Sequence, residues 1–177
     1  AGAAGLNVAV GHQAGTAMTT GIKNTLIGGL AGDAITSGYQ NVALGYRALS
    51  AEDTGRSSVA IGNDALLNQN FDGSAYNIAI GDSSGLSVTT GIQNIIVGGL
   101  AGDALTTGSE NIAIGQNALG AEDTGSHSVA IGKKALFNQN FDGSAYNIAI
   151  GHQGGMSVTS GVRNNLIGGL AGDALTT

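Results

Sequence analysis

The chain has no cysteine, no proline and no tryptophan among its 177 residues, and only four tyrosines and three phenylalanines. Without cysteine there is neither a disulfide framework nor a thiolate metal site. Without proline, and without glycine at every third position, a collagen-like triple helix is excluded. Charged residues make up 10%, well under the usual ~25%. With 42% hydrophobic residues, that composition is the opposite of the low-hydrophobicity, high-charge profile of disordered chains. No apolar run approaches the ~20 residues of a membrane-spanning helix, and no signal peptide is visible. Net charge of −6 argues against nucleic acid or anionic lipid as a partner. No membrane insertion of this segment is expected.

Glycine, by contrast, is abundant, with 32 residues, and it is periodic. A glycine ends a short apolar triplet at Gly11, Gly28, Gly45, Gly62, Gly81, Gly98, Gly115, Gly132, Gly151 and Gly168. The spacing is 17 residues, lengthened to 19 in every fourth unit, which gives a super-repeat of 70 residues. A second glycine series follows at Gly21, Gly38, Gly55, Gly73, Gly91, Gly108, Gly125, Gly143 and Gly161. Ser58–Gly81 and Ser128–Gly151 differ only by Asn63 to Lys133, Asp64 to Lys134 and Leu67 to Phe137. Residues 1–177 therefore read as one repetitive segment, a piece of a longer fibre with no evident cap at either end.

Each unit begins N-[VI]-A-[VIL]-G, with serine replacing asparagine at Ser58 and Ser128. The triplet is too short for a helical period. Its two-residue alternation puts Val8 and Val10, or Ile78 and Ile80, on one face and the central alanine on the other. Apolar residues on both faces predict a strand buried on both sides. We assign one side to the interior and expect the small alanine face to meet another chain. A circuit of 17 residues suits one turn of a parallel β-solenoid, whereas helical repeats need ~33 residues or more. The glycines are expected to turn corners at positive φ, and the asparagines to bond from coil to coil. The fold class is thus all-β, with ten coils. Because one coil carries little core, oligomerisation is expected.

The repeat N-x-A-[VI]-G-x-x-A-L-x-x-x-x-T-G-x-x, fullest in Asn41–Ser57 and Asn111–His127, resembles those of phage tail fibres and related bacterial surface fibres. Ser58–Gly62 and Ser128–Gly132 (SVAIG) resemble the head repeats of YadA-like trimeric autotransporter adhesins. The resemblance covers Asn7 to Thr177. It implies a homotrimer of left-handed β-rolls, extracellular on a virion or cell surface, that presents an adhesive or receptor-binding surface. The longer units and the regular 19-residue variant depart from the autotransporter pattern.

No catalytic constellation, cofactor motif or metal site is read from the sequence. GGLAGDA occurs at Gly28–Ala34, Gly98–Ala104 and Gly168–Ala174, but lacks the Gly-Lys-Ser/Thr ending and helix of a phosphate loop. Asp123, Ser126 and His127 have triad residue types, yet the matching unit has Ser57 in place of His127. His12 and His152 share a column eight coils apart, roughly 38 Å, too far to share a metal within one chain.

The 19-residue units carry the candidate ligand residues. Asn70, Phe71, Asp72 and Tyr76 recur as Asn140, Phe141, Asp142 and Tyr146. Rings beside amide and carboxylate groups suit a glycan surface, where rings stack and polar edges specify. The competing reading has Phe71 and Phe141 filling an enlarged corner of the roll. The expectation is a non-enzymatic structural or adhesive fibre segment that engages a cell-surface glycan or protein receptor. The alternative is a monomeric ice-binding β-solenoid, for which Thr19, Thr36, Thr89, Thr106, Thr159 and Thr176 form a column interrupted by Asp53, Asn70, Asp123 and Asn140.

Overall fold

The computed structural model describes residues 5–177. It contains ten three-residue strands: β1 (Val8–Val10), β2 (Thr25–Ile27), β3 (Val42–Leu44), β4 (Val59–Ile61), β5 (Ile78–Ile80), β6 (Ile95–Val97), β7 (Ile112–Ile114), β8 (Val129–Ile131), β9 (Ile148–Ile150) and β10 (Asn165–Ile167). They pair in chain order as one parallel sheet, each strand with the next. Register follows the repeat, so Val42 faces Val59, Ala43 faces Ala60 and Leu44 faces Ile61. The two extra residues of a 19-residue coil leave no trace in the strands, because Ala60 still faces Ala79. They are absorbed at a corner. The chain is a β-solenoid whose sheet rises ~43 Å over nine inter-strand steps.

The direction of the strand side chains reverses one expectation. The central residues point into the roll, where Leu26, Ala43, Ala60, Ala79, Ile96, Ala113, Ala130 and Ala149 are fully buried. The flanking valines, isoleucines and leucines point outward and keep part of their surface open to solvent. A 17-residue circuit encloses a narrow interior. Each coil must also seat its asparagine and two or three residues from the opposite wall, and a β-branched side chain at every strand position would overfill it. The alanines are therefore core, and the larger aliphatic residues form the outer face of the sheet.

Volume is balanced within most coils, and between coils where both positions are small, as at Ala79 and Gly85, where Leu66 and Ile96 reach in from the adjoining coils. Where the strand centre is alanine (Ala43, Ala60), the opposite wall contributes Leu49 and Leu66, both fully buried. Where the strand centre is Leu26, that wall has Gly32 instead. Full burial of each of these leucines is worth roughly 1.5–3 kcal/mol. The wall position lies in the left-handed region in either case, at φ 54° for both Leu49 and Gly32, so leucine is held there by the packing it gains.

The two glycine series serve different ends. The series after each strand has φ of 129–143°, as expected of a corner. In the second series only Gly143 among the described residues has positive φ. Close approach accounts for most of the others: a Cβ on Gly21 would stand 2.6 Å from the carbonyl oxygen of Gly38 in the next coil.

The asparagine ladder bonds from coil to coil as expected. The backbone N–H of Asn24 donates to Oδ1 of Asn7 (2.8 Å), and that of Asn41 to Oδ1 of Asn24 (3.0 Å). Each Nδ2 donates to a corner carbonyl, Asn24 to Gly38 (2.8 Å) and Asn41 to Gly55 (2.9 Å). These groups are buried, so each bond also avoids the ~1–3 kcal/mol cost of an unsatisfied polar group.

Candidate functional site

The corner enlarged by the 19-residue coils is built from the inside outward. One interior column reads Met18, Ile35, Glu52, Gln69, Val88, Leu105, Glu122, Gln139 and Val158, two apolar positions alternating with two polar ones. Glu52, Gln69, Glu122 and Gln139 are fully buried. At Ser58 the asparagine ladder lacks its amide, and Gln69 supplies one. Its Nε2 donates to Ser58 Oγ (2.9 Å) and to Glu52 Oε2 (2.9 Å), while its Oε1 accepts from Asn77 Nδ2 (2.9 Å). Gln139 repeats this with Ser128, Glu122 and Asn147.

The Glu52 carboxylate terminates the corner. It accepts the backbone N–H groups of Gly55 (2.7 Å), Asp53 (3.1 Å) and Phe71 (3.4 Å) in addition to Gln69. In the neighbouring coil the corner N–H of Gly38 reaches the carbonyl of Asp53, a bond that the enlarged loop above Gly55 displaces. Among the described residues, no cation pairs with this carboxylate. Burial raises its pKa above the ordinary carboxylate range, and the donated hydrogen bonds offset only part of that rise. Glu122 is raised for the same reason. Sequence reading passed over both glutamates. The signal was available in that one interior column, whose apolar residues give way to Glu52 and Gln69, and again 70 residues on to Glu122 and Gln139.

The outer side of the corner carries the candidate ligand residues. Asn70, Asp72, Asn140 and Asp142 are exposed, and Tyr76 and Tyr146 are among the most open large side chains, at 58% and 50%. Phe71 and Phe141 are half-buried and do not fill the interior, a place taken by Gln69 and Gln139. The reason is local. Glu52 and the ladder require an amide inside, which turns the phenylalanine out across its own loop. A Cβ on Gly73 would meet Cε1 of Phe71 at 2.7 Å. Asp72 is held by the hydroxyl of Thr54 in the preceding coil, and Asp142 by Thr124 (2.8 Å).

The two corners differ in their neighbours. Beside the first, the Arg56 guanidinium lies 5.1 Å from the centre of the Tyr39 ring and donates from Nε to Ser74 Oγ (2.8 Å). Ser109, Ser126 and Ser144 occupy the same column beside the second. There, His127 stacks on Tyr146 at 5.0 Å, with its Nε2 3.5 Å from Glu110 Oε2. Tyr39, Thr54 and Arg56 were missed from sequence because they come from other coils and meet the loop only through stacking.

Asn63 and Lys133 are exposed, but Asp64 and Lys134 are only half-exposed. Asp64 faces Arg47 at 3.5 Å, while Lys134 lies over Phe137 at 5.2 Å. Arg47 becomes Asn117 and Leu67 becomes Phe137 in the second copy, so the charge swap travels with its contacts. Asp33 accepts from Ser50 Oγ (2.5 Å). Asp103, its counterpart, is half-buried and has its pKa raised by desolvation. His12 and His152 are exposed. Among the described residues, no three His, Asp or Glu side chains converge as a metal-binding group. A hollow of about 550 Å³ opens beside Met18, Gly21 and Ile22 of the first coil, away from both corners.

Comparison with protein-family models, curated proteins and solved structures finds no match.

Proposed function

We propose that the chain is a non-enzymatic segment of an extracellular fibre, a homotrimer that presents or spaces a surface for attachment to a cell-surface glycan or protein receptor. The observation that supports this reading most is the outer face of the sheet. Ten strands each turn two side chains outward, and of those twenty only Thr25 and Asn165 are polar. Val10, Leu44, Ile78, Ile80, Ile95 and Ile150 are 37–57% exposed. A continuous aliphatic strip ~43 Å long is a contiguous apolar surface of the kind that marks an interaction site.

The strip repeats at the inter-strand spacing. A second roll of the same chain, running parallel, matches it at every level and sets like coils at like heights. The trimeric state is the one implied by the repeat's resemblance to fibre and adhesin heads. The ladder-like interior supports a load-bearing or spacing role, since each coil bonds mainly to its neighbours.

The ice-binding alternative is disfavoured by the threonine column. Thr19, Thr89, Thr106 and Thr159 donate their hydroxyls to main-chain carbonyls of the next coil at 3.0–3.1 Å. Those donors serve the fold and are not offered to a lattice.

Light scattering on a sizing column tests the proposal. The expected mass is about 52 kDa, three times 17.3 kDa. A mass of 17.3 kDa at micromolar concentration overturns the trimer.

A further inference from the structure

We propose that the two enlarged corners are paired subsites for one linear, neutral polysaccharide lying along the axis of the roll; this rests on the attachment reading above. The interior of each corner is accounted for by Gln69 and Glu52, or Gln139 and Glu122, and by the buried Ala75 and Ala145. Nothing in that network requires rings or a carboxylate outside. Yet each corner carries a phenylalanine laid across its own loop, an aspartate, and a tyrosine half open to solvent.

The chemistry of the trio suits a sugar. Ring faces stack on the apolar face of a pyranose, and fixed polar atoms at the edge select its hydroxyls. Thr54 and Thr124 each hold Oδ1 of the aspartate, which fixes the carboxylate and leaves Oδ2 to accept from a ligand hydroxyl. The shared groups are a carboxylate, a phenol and a phenyl ring, with no cation, on a chain of net charge −6, which disfavours an acidic sugar. Arg56 stands beside the first corner only, and His127 stacks on the Tyr146 ring beside the second only, so neither is part of what the two subsites have in common.

Repetition gives the ligand's form. The octapeptides Gln69–Tyr76 and Gln139–Tyr146 are identical, and unbroken strand register places them on the same flank four coils apart, roughly 19 Å. A globular receptor presents no such translation, whereas a polymer with a regular repeat does. Once one subsite is filled, the second acts at the effective concentration set by the linking sugar chain.

The test is capture on an array of neutral homopolymers (dextran, mannan, galactan), followed by titration with graded fragments of the polymer retained. Affinity is expected to rise tenfold or more once fragments exceed ~19 Å. Replacing one corner (F71A/Y76A) should return long fragments to the affinity of short ones. Replacing both (F71A/Y76A/F141A/Y146A) should abolish capture with circular dichroism unchanged. If a polymer binds without any length step, or binding survives the fourfold variant, the paired-subsite proposal falls while attachment stands. If the intact chain retains no neutral polymer but adheres to cells, the proposal also falls alone. If it adheres to nothing, the attachment reading falls with it.

Discussion

Leu26 and Gly32 divide one volume between them: a Cβ added to Gly32 would stand 2.8 Å from Cδ2 of Leu26. In the next coil the same space is divided between Ala43 and Leu49. The pair predicts strong coupling. Leu26→Ala alone should cost about 2–5 kcal/mol, as large-to-small core changes do. Gly32→Ala alone should destabilise through overpacking, because Ile35 presses on the same point from the other side, also at 2.8 Å. In the double variant the second change should cost much less than it does alone, which a denaturation cycle will read as an interaction energy above ~1 kcal/mol. Simple additivity would show that the two residues do not share that space.

The corner glycines predict a sharp contrast within one residue type. A Cβ on Gly28 would meet the carbonyl carbon of Gly45 at 2.6 Å, and backbone φ there is 139°. Both coils would have to separate, so Gly28→Ala should cost several kcal/mol or prevent folding. Gly169 has nothing within 4 Å of its added Cβ. Gly169→Ala should stay within about 0.5 kcal/mol of the parent. Melting temperatures of the two variants check this directly, and equal losses would sink the stacking argument.

The buried glutamates predict a pH dependence of definite sign. Desolvation raises the folded-state pKa of Glu52 and Glu122 above the ordinary 4.5, so between those values the folded chain binds more protons than the unfolded one. Their contribution is therefore most favourable below pH 4.5 and is lost as pH rises through the folded-state pKa. The melting temperature should increase on acidification from pH 7 toward 5. In E52Q/E122Q that slope should flatten, although the amide sets an N–H against Gln69 Nε2 and lowers stability overall by about 1–3 kcal/mol per site. An unchanged slope in the double variant would assign the effect to other groups.

The outer face predicts a change of assembly without a change of fold. Ile80 and Ile114 point outward on β5 and β7, so Ile80→Lys with Ile114→Lys removes no interior contact. Each places a charge in the proposed interface, where an unpaired buried charge is strongly unfavourable. The mass should drop to that of one chain while the far-ultraviolet circular dichroism stays β. Loss of both together would mean that the roll does not stand without its partners.

The sequence by itself determined the period, the strands, the corners and the parallel stacking of ten coils. Those features depend on local chemistry repeated at one spacing: Gly28 and its counterparts where φ is positive, β-branched pairs at two-residue intervals, and Asn24 and Asn41 positioned to bond one coil away. Tertiary structure decided which side of each strand is inside. Alternation separates Ala43 from Val42 and Leu44, but only the width of the closed circuit, already occupied by Leu49 and the asparagine, selects alanine for the interior. It likewise decided the enlarged corner. The repeat Gln69 to Tyr76 was plain in the sequence, yet the inward turn of Gln69 follows from the amide missing at Ser58, eleven residues earlier, and from Glu52 in another coil. Such choices depend on volume and hydrogen-bond demand summed over neighbouring coils, quantities that no single repeat contains.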